Sequence, residues 1–168
     1  MPSLQAYQFR MPAGFAGDLQ RAEAATVEPQ LIDSSAPPAA FGVAVKIVNG
    51  KVQPINNAAD VAASVYGVNL RAYPIQGNGT DPLGTSTPPT SGVTDVLKRG
   101  YVSIALGGTA AAAKDGTVYV RVAAVAAGKP LGGFEAAADG ANTVAMPANW
   151  YFTGPADAYG ITEIAVNI

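Results

Sequence analysis

The side chains that most often carry acid–base and nucleophilic chemistry are missing from this sequence. It contains no histidine and no cysteine, which excludes Ser-His and Cys-His dyads, thiolate nucleophiles and zinc–thiolate sites. Twelve Asp and Glu residues are present, so a carboxylate pair of the glycosidase type is the chemistry still open. The nearest acids, Asp18, Glu23 and Glu28, lie in a segment flanked by Gly and Pro, where a pair would be poorly positioned. We therefore expect no catalytic residues and no enzyme activity.

Two glycine-rich stretches could in principle bind ions or phosphates. Residues 77–81 (GNGTD) resemble a calcium loop but lack its regularly spaced acids. Residues 128–134 (GKPLGGF) combine a lysine with glycines, but not in the order of a P-loop. We expect ordinary turns at both places, with no metal site and no cofactor.

The aromatic group Trp150, Tyr151 and Phe152 has two interpretations. It could stack against sugar rings, with Tyr159 extending the platform, or it could pack in a core or an interface, which is the commoner role of such a group. A carbohydrate-binding or adhesin-like β-sandwich module is therefore the alternative function.

Charge and hydropathy exclude two classes of partner. The chain has 168 residues, a net charge of −2 and ten Lys and Arg, of which only Lys98 and Arg99 are adjacent. A nucleic-acid binder would need a basic face, and none is indicated. No stretch approaches a membrane span, and the first residues do not resemble a secretory signal, so we expect synthesis in the cytoplasm and no membrane partner.

The remaining sequence predicts strands and turns. Residues 41–55 alternate in hydrophobicity around Asn49-Gly50, which predicts a hairpin with a type I′ turn. A second strand is predicted within 62–75, with Tyr66, Val68, Leu70 and Ala72 on its core face, followed by a long loop over 74–93 that is rich in Pro, Gly and Thr.

Three further strand regions complete the predicted core. Residues 100–106 and 117–126 are expected to pair antiparallel, and residues 161–168 form a closing strand with Thr162, Ile164 and Val166 on one face. The best helical candidate is 18–25, with Asp18 as N-cap and Pro29 ending it. These patterns predict an all-β fold, an antiparallel β-sandwich or jelly roll.

The first 40 residues do not share this patterning. They carry apolar side chains without a periodic face, which predicts an extended N-terminal arm over 1–40 and a β domain over 41–168. An arm that orders on binding can cover a large surface of a partner. Packing on their own domain is the alternative for both segments, as well supported as partner contact for the 74–93 loop and less favoured for the arm.

Taken in order, the motifs resemble a family of tailed-bacteriophage structural cement proteins, which decorate the capsid. The likeness is carried by MPAGFAGDLQRAEAATVEPQ and FGVAVKIVNGKVQPI, then VYGVNLRAYPIQ, DPLGTSTPP, DVLKRGYVSIAL and GGFEAAAD, and finally GITEIAVNI. It spans essentially the whole chain.

The resemblance implies a non-enzymatic virion protein on the outer capsid surface. Its partners would be the major capsid protein and further copies of itself, as a homodimer or homotrimer, and it would stabilise the head by bridging neighbouring capsid subunits. The family fixes no contact residues, so the candidates come from the arm, the loop and the aromatic group: Tyr7, Phe9, Met11, Phe15, Leu19, Arg21, Leu31, Leu83 and Trp150.

Overall fold

A computed structural model of the chain describes residues 14–71 and 87–168. Within these ranges there are three short 3-10 turns and eleven strands, and no helix is long and apolar enough to cross a membrane. The strands are β1 (Leu19–Gln20), β2 (Thr26–Leu31), β3 (Ala44–Val48), β4 (Lys51–Pro54), β5 (Gly67–Asn69), β6 (Val93–Gly107), β7 (Tyr119–Arg121), β8 (Phe134–Glu135), β9 (Thr143–Ala145), β10 (Tyr151–Phe152) and β11 (Ile161–Val166).

Strand β6 is the axis of the fold. Its first half pairs antiparallel with β2 and β5, its second half pairs antiparallel with β1 and β11, and its last residues pair parallel with β8. All strands therefore join into one large mixed sheet. The predicted all-β class is confirmed.

A bulge in β6 changes the face of the sheet on which its even-numbered side chains lie. Thr26 is opposite Arg99 and Val27 is opposite Leu97, so Lys98 has no partner residue in β2. Even-numbered Val96 packs in a small apolar cluster before the bulge, whereas even-numbered Val102 packs in the main core after it. One extra residue in a strand produces this change of face.

Gly100 allows β6 to lie close to the backbone of Ala25 next to the bulge. Its φ is +133°, and a Cβ there would lie 3.0 Å from the Cα of Ala25. Only glycine fits this close approach of two backbones without strain.

The predicted hairpin is confirmed. Strands β3 and β4 pair around Asn49 and Gly50, whose φ values of 50° and 76° are those of a type I′ turn. Beyond the hairpin, Ile32 forms a parallel bridge with Val52. This bridge brings together the two ends of the strand series β2-β6-β5-β3-β4.

The main core contains buried residues from strands that pair with both halves of β6. Its buried members include Phe134, Phe152 and the inward-facing residues of β6, β7 and β11, and the small cluster consists of Val45, Val52 and Val96. The closing strand behaves as predicted, because Thr162, Ile164 and Val166 are all buried.

The second predicted strand is only partly right. Val68 and Leu70 are buried as expected, but Asn69 from the opposite face is buried too. Its side chain accepts a hydrogen bond from Thr94 Oγ1 at 2.6 Å and donates to Ala40 O at 3.2 Å, which compensates its burial. Ala72 and residues 74–86 of the predicted loop lie outside the described residues, and Val93 already belongs to β6.

The expected antiparallel pairing of 100–106 with 117–126 is wrong. Strand β8 lies between β6 and β7, and β7 pairs with β8 and β9. The turn at Asp115-Gly116 does exist, with Asp115 at φ 60°, but Asp115 N donates to Phe152 O at 2.8 Å. A turn motif predicts that the chain reverses direction. It does not predict that the strands before and after the turn pair with each other.

The predicted helix over 18–25 does not form. The Asp18 carboxylate instead accepts a hydrogen bond from Phe15 N at 2.9 Å, and Arg21 adopts a left-handed φ of 50°. Leu19 and Gln20 pair with Val102 and Tyr101 of β6. A helix this short is marginal alone, so pairing with an existing strand prevails.

The same pairings revise the expected arm over 1–40. Strands β1 and β2 are part of the sheet, so the segment from Gly14 onward is integrated into the domain that was expected to begin at residue 41. Residues 1–13 lie outside the described residues, and an arm there stays a prediction.

Candidate contact surface

The segment 14–21, here called the N-terminal strap, is fixed along β6. Gly17 N donates to Ser103 O at 2.7 Å, and Ser103 N donates to Asp18 O at 3.0 Å. Gly17 has φ +91°, and a Cβ there would lie 2.7 Å from Phe41 Cβ. The strap therefore holds its side chains in defined positions on the domain.

Phe15 is the exposed apolar residue of the strap. Its side chain is 53% exposed, and the Arg71 guanidinium lies 4.8 Å from its ring centroid. The backbone N of Arg71 donates to Gly17 O at 2.9 Å, which anchors this cation–π pair to the strap. Phe15 was predicted as a contact residue, and its exposure is compatible with that role.

Arg21 lies on the same strap within a polar cluster. Its guanidinium pairs with Glu163 Oε1 at 2.7 Å and lies 3.9 Å from the centroid of the Tyr101 ring. A hydrogen bond with Tyr101, together with partial burial, raises the pKa of Tyr151 above its ordinary value. Because half of the Arg21 side chain remains exposed, this cluster presents Arg and Tyr, the residue types that dominate binding energy in many interfaces.

Leu31 and Val93 form a second exposed apolar site. They are directly opposite each other at the end of the β2–β6 ladder, and their exposed fractions are 55% and 57%. Leu31 was predicted as a contact, whereas Val93 was missed, because pairing between residues so far apart in the chain leaves no local sequence signal.

Trp150 cannot serve as a surface contact, which corrects its predicted role. It is 3% exposed, its ring lies 6.4 Å from that of Phe134, and its Nε1 donates to Asn167 Oδ1 at 2.9 Å. Leu19, also in the strap, is half-buried and packs against the main core, so it attaches the strap to the domain. The other predicted contacts, Tyr7, Phe9, Met11 and Leu83, lie outside the described residues.

The sugar-stacking platform is not formed around Trp150. Phe152 is buried with it and Tyr151 is half-buried, which leaves Tyr159 as the exposed ring. Tyr159 is 84% exposed on a turn that Asp157 closes by accepting hydrogen bonds from Tyr159 N and Ile161 N, both at 2.9 Å. A single ring on a tight turn is a contact point, whereas a platform needs several coplanar or adjacent rings.

Asp18 and Glu28, two of the acids considered above for a carboxylate pair, are bound by different partners. Asp18 caps the strap at Phe15 N, whereas Glu28 accepts a hydrogen bond from the Tyr66 hydroxyl. This hydrogen bond raises the pKa of Tyr66 above its usual value. Across residues 14–71 and 87–168, no group of three or more Asp and Glu could hold a metal ion.

The most deeply buried charges form a separate ionic cluster. Arg121 Nε pairs with Glu135 Oε1 and Arg121 Nη2 with Asp139 Oδ2, each at 2.5 Å, and Lys129 Nζ lies 3.2 Å from Glu135 Oε2. The hydrogen bond from Arg121 lowers the pKa of Asp139, and the one to Glu135 raises that of Arg121. Two cations and two carboxylates balance, so the cluster ties β7 to β8 and the following loop and leaves no spare charge for a ligand.

A family model and a solved structure match this chain. A search of curated protein sequences finds no match. Among solved structures, a chain in the capsid of Myoviridae phage XM1 is similar in fold, with a TM-score of 0.70 and 19% sequence identity, over 99% of this chain and 98% of that chain. The sequence profile of the XM1 gp53 minor capsid protein family matches residues 4–166. The resemblance to phage capsid-associated proteins is thereby confirmed, and the chain belongs to the XM1 gp53 minor capsid protein family of virion structural proteins.

Proposed function

We propose that this protein is a cement or decoration protein that binds the outer surface of a phage capsid and bridges neighbouring major capsid subunits. The observation that carries the proposal is the family match over residues 4–166, nearly the whole chain. A virion structural protein with this match acts by contact with other capsid components, and a role in bridging them gives its exposed apolar sites a purpose.

The described surface supports binding by contact. Phe15, Leu31 and Val93 are each more than half exposed, and the backbone around each is hydrogen-bonded. Fully burying an apolar side chain of this size contributes about 1.5–3 kcal/mol, and ordered strands lose little conformational freedom when they dock. Many copies on one capsid lattice would add avidity to a moderate affinity per site.

The proposal includes self-association as a homodimer or homotrimer on the outer face of the virion after synthesis in the bacterial cytoplasm. Low charge supports this part, since charged residues make up 13% of the chain and are depleted in interface cores.

The test is to mix the purified protein with undecorated capsids of its own phage. We expect saturable, stoichiometric binding and capsids that withstand higher temperature. Phe15→Ser and Leu31→Ser should each weaken binding by about tenfold, the change that corresponds to burying part of one apolar side chain.

Val125→Ser is the matched control. Val125 is also an exposed apolar residue, and it lies in a loop near the opposite end of β6 from Leu31, because Gly128 of that loop approaches Gly107. Failure of the wild-type protein to bind its own capsids would refute the proposed function. If neither Phe15→Ser nor Leu31→Ser weakens the binding to capsids, the assigned contact sites are wrong.

A further inference from the structure

A groove of about 490 Å³ lies beside the bulge of β6. It is bounded by the end of β3, by residues 60–66 before β5, and by Lys98. Its wall is mixed, because aliphatic Ile47, Val48 and Val65 alternate with polar groups. Its volume lies within the roughly 300–1,000 Å³ that is common for ligand-binding clefts.

The bulge places Lys98 at this groove. Lys98 is the bulge residue, with no partner in β2, so its side chain does not follow the alternation between the two faces of the strand. Bulges commonly redirect a side chain in this way. Its ammonium group donates to the Tyr66 carbonyl oxygen at 2.7 Å and lies 3.5 Å from the centroid of the Tyr66 ring. A long, flexible side chain is thereby held in one place by two contacts.

The other charges of the groove are already neutralised. Lys46 Nζ contacts both carboxylate oxygens of Asp60, at 3.1 and 2.9 Å, and Asp60 also accepts hydrogen bonds from the backbone of Asn56 and Asn57. Glu28 is not among the lining residues, and it accepts a hydrogen bond from the Tyr66 hydroxyl, which in turn accepts one from Gln30.

Lys98 is different. Among the described residues, no carboxylate oxygen lies within 4 Å of its ammonium group, and the ion pairs there involve Arg21, Lys46, Arg121 and Lys129 instead. The Tyr66 ring and carbonyl satisfy part of its hydrogen-bonding capacity but bring no negative charge to match it. Of the charged side chains that line the groove, Lys46 and Asp60 pair with each other, and Lys98 has no ion-pair partner among the described residues.

We propose that this groove binds an Asp or Glu side chain within a short, partly apolar peptide segment of a capsid partner. The inference rests on the proposed function for the partner, and on the groove itself for the chemistry. A preorganised ammonium group forms a charge-assisted hydrogen bond with a carboxylate, while apolar neighbours of that acid pack on Val48 and Val65. A nucleic-acid strand would require several cations along its backbone, and this groove offers one.

The first experiment measures binding to undecorated capsids by co-sedimentation. Lys98→Met removes the charge and keeps most of the side-chain volume, and it should raise the dissociation constant by about tenfold or more, as expected for loss of a charge-assisted hydrogen bond. The affinity of the wild-type protein should fall as NaCl is raised from 50 to 300 mM, and that of Lys98→Met should fall less.

Lys114→Met is the matched control, because Lys114 is exposed on a distant turn and the net charge changes equally. It should bind as the wild type does, and equal thermal midpoints for the three proteins would show that folding is unaffected. If Lys98→Met binds capsids as tightly as Lys114→Met, the inference is wrong while the proposed function stands.

The second experiment does not depend on capsids. Acetyl-Val-Glu-Val-amide is titrated into the isotope-labelled protein, with acetyl-Val-Gln-Val-amide, inorganic phosphate and a thymidine oligonucleotide as comparisons. Saturable amide shifts confined to Ser64, Val65 and Lys98, present with the Glu peptide and absent with Lys98→Met, would support the groove as a carboxylate site. Equal shifts with the Gln peptide, or stronger ones with phosphate or the oligonucleotide, would overturn it.

Discussion

Replacing Glu135 by Gln tests whether the buried ionic cluster holds the second half of the sheet together. The Arg121 side chain is 1% exposed, and its donors are divided among Glu135, Asp139 and the carbonyl oxygens of Ala123 and Ala124. The Gln side chain has the same shape and can still accept one hydrogen bond. It removes the negative charge, however, and leaves two cations facing one half-exposed carboxylate.

The expected cost follows from this imbalance. Breaking one partner of a buried ion pair destabilises a protein by 3–5 kcal/mol, and because Asp139 remains we expect the lower end, about 3 kcal/mol. For a domain of this size, that loss corresponds to a fall in the thermal midpoint of about 6–12 °C. Urea unfolding should show a lower midpoint with an unchanged slope.

Glu163→Gln is the matched control for this prediction. It is the same substitution in the same kind of ion pair, but the Arg21 side chain is 50% exposed. Exposed pairs contribute about 0–1 kcal/mol, so the control should lose less than about 1 kcal/mol. Similar losses for the two variants, or a loss below 1 kcal/mol for Glu135→Gln, would refute the reasoning that burial makes the cluster essential.

Three further predictions test the packing and the electrostatics. Gly132→Ala should destabilise the fold strongly in urea unfolding, because Gly132 has φ +74° and a Cβ there would lie 2.5 Å from Ala44 O; a loss below about 1 kcal/mol would contradict this. Trp150→Ala should lower the free energy of unfolding by about 3–5 kcal/mol, whereas Tyr159→Ala should change it by no more than about 0.5 kcal/mol. A larger loss for Tyr159→Ala than for Trp150→Ala would contradict the assignment of Trp150 to the core and Tyr159 to the surface. Hydrogen bonds from Ser35 and Gln53 lower the pKa of Asp33 to about 2, below an unfolded value of about 3.9. This stabilisation is therefore present above about pH 4 and is lost as the pH falls towards 2. Asp33→Asn should flatten the dependence of the unfolding free energy on pH in that window, and an unchanged slope would exclude Asp33 as its source.

Features that depend on neighbouring residues could be predicted from the sequence. Asn49-Gly50 determines its turn through the left-handed φ that both positions adopt, and the alternation of Thr162, Ile164 and Val166 reflects one buried face of a strand. Both features are properties of a few consecutive residues.

Features that depend on distant pairing could not be predicted. Strand β6 includes Lys98, Arg99 and Gly100, which break the alternation on which strand prediction relies, because the bulge reverses the faces there. The two-residue strand β8 is too short to stand out, yet it separates β6 from β7.

The candidate surface shows the same division. Phe15 and Leu31 were predicted as contacts from their apolar character outside the periodic strands, and both are exposed. Trp150 has equally suitable chemistry but is buried by Phe134 and Asn167, which come from other parts of the chain. Lys98 was noted only for its neighbour Arg99, because its isolation from carboxylates is a property of the folded structure.

The central position of β6 also constrains when the protein can fold. This one strand pairs with β1 and β2 from the first described part of the chain and with β11 near its end, and the Gln20–Ser103 hydrogen bond alone joins residues 83 apart. Contacts at such separations make folding slow, on the scale of milliseconds to seconds. On the ribosome, β6 emerges with an unpaired edge and stays so until Val166 has been synthesised, since β11 covers Gly100 to Ala105. Chains that stop before β11 would expose that edge to aggregation, so the synthesis of β11 is the step that protects this part of β6.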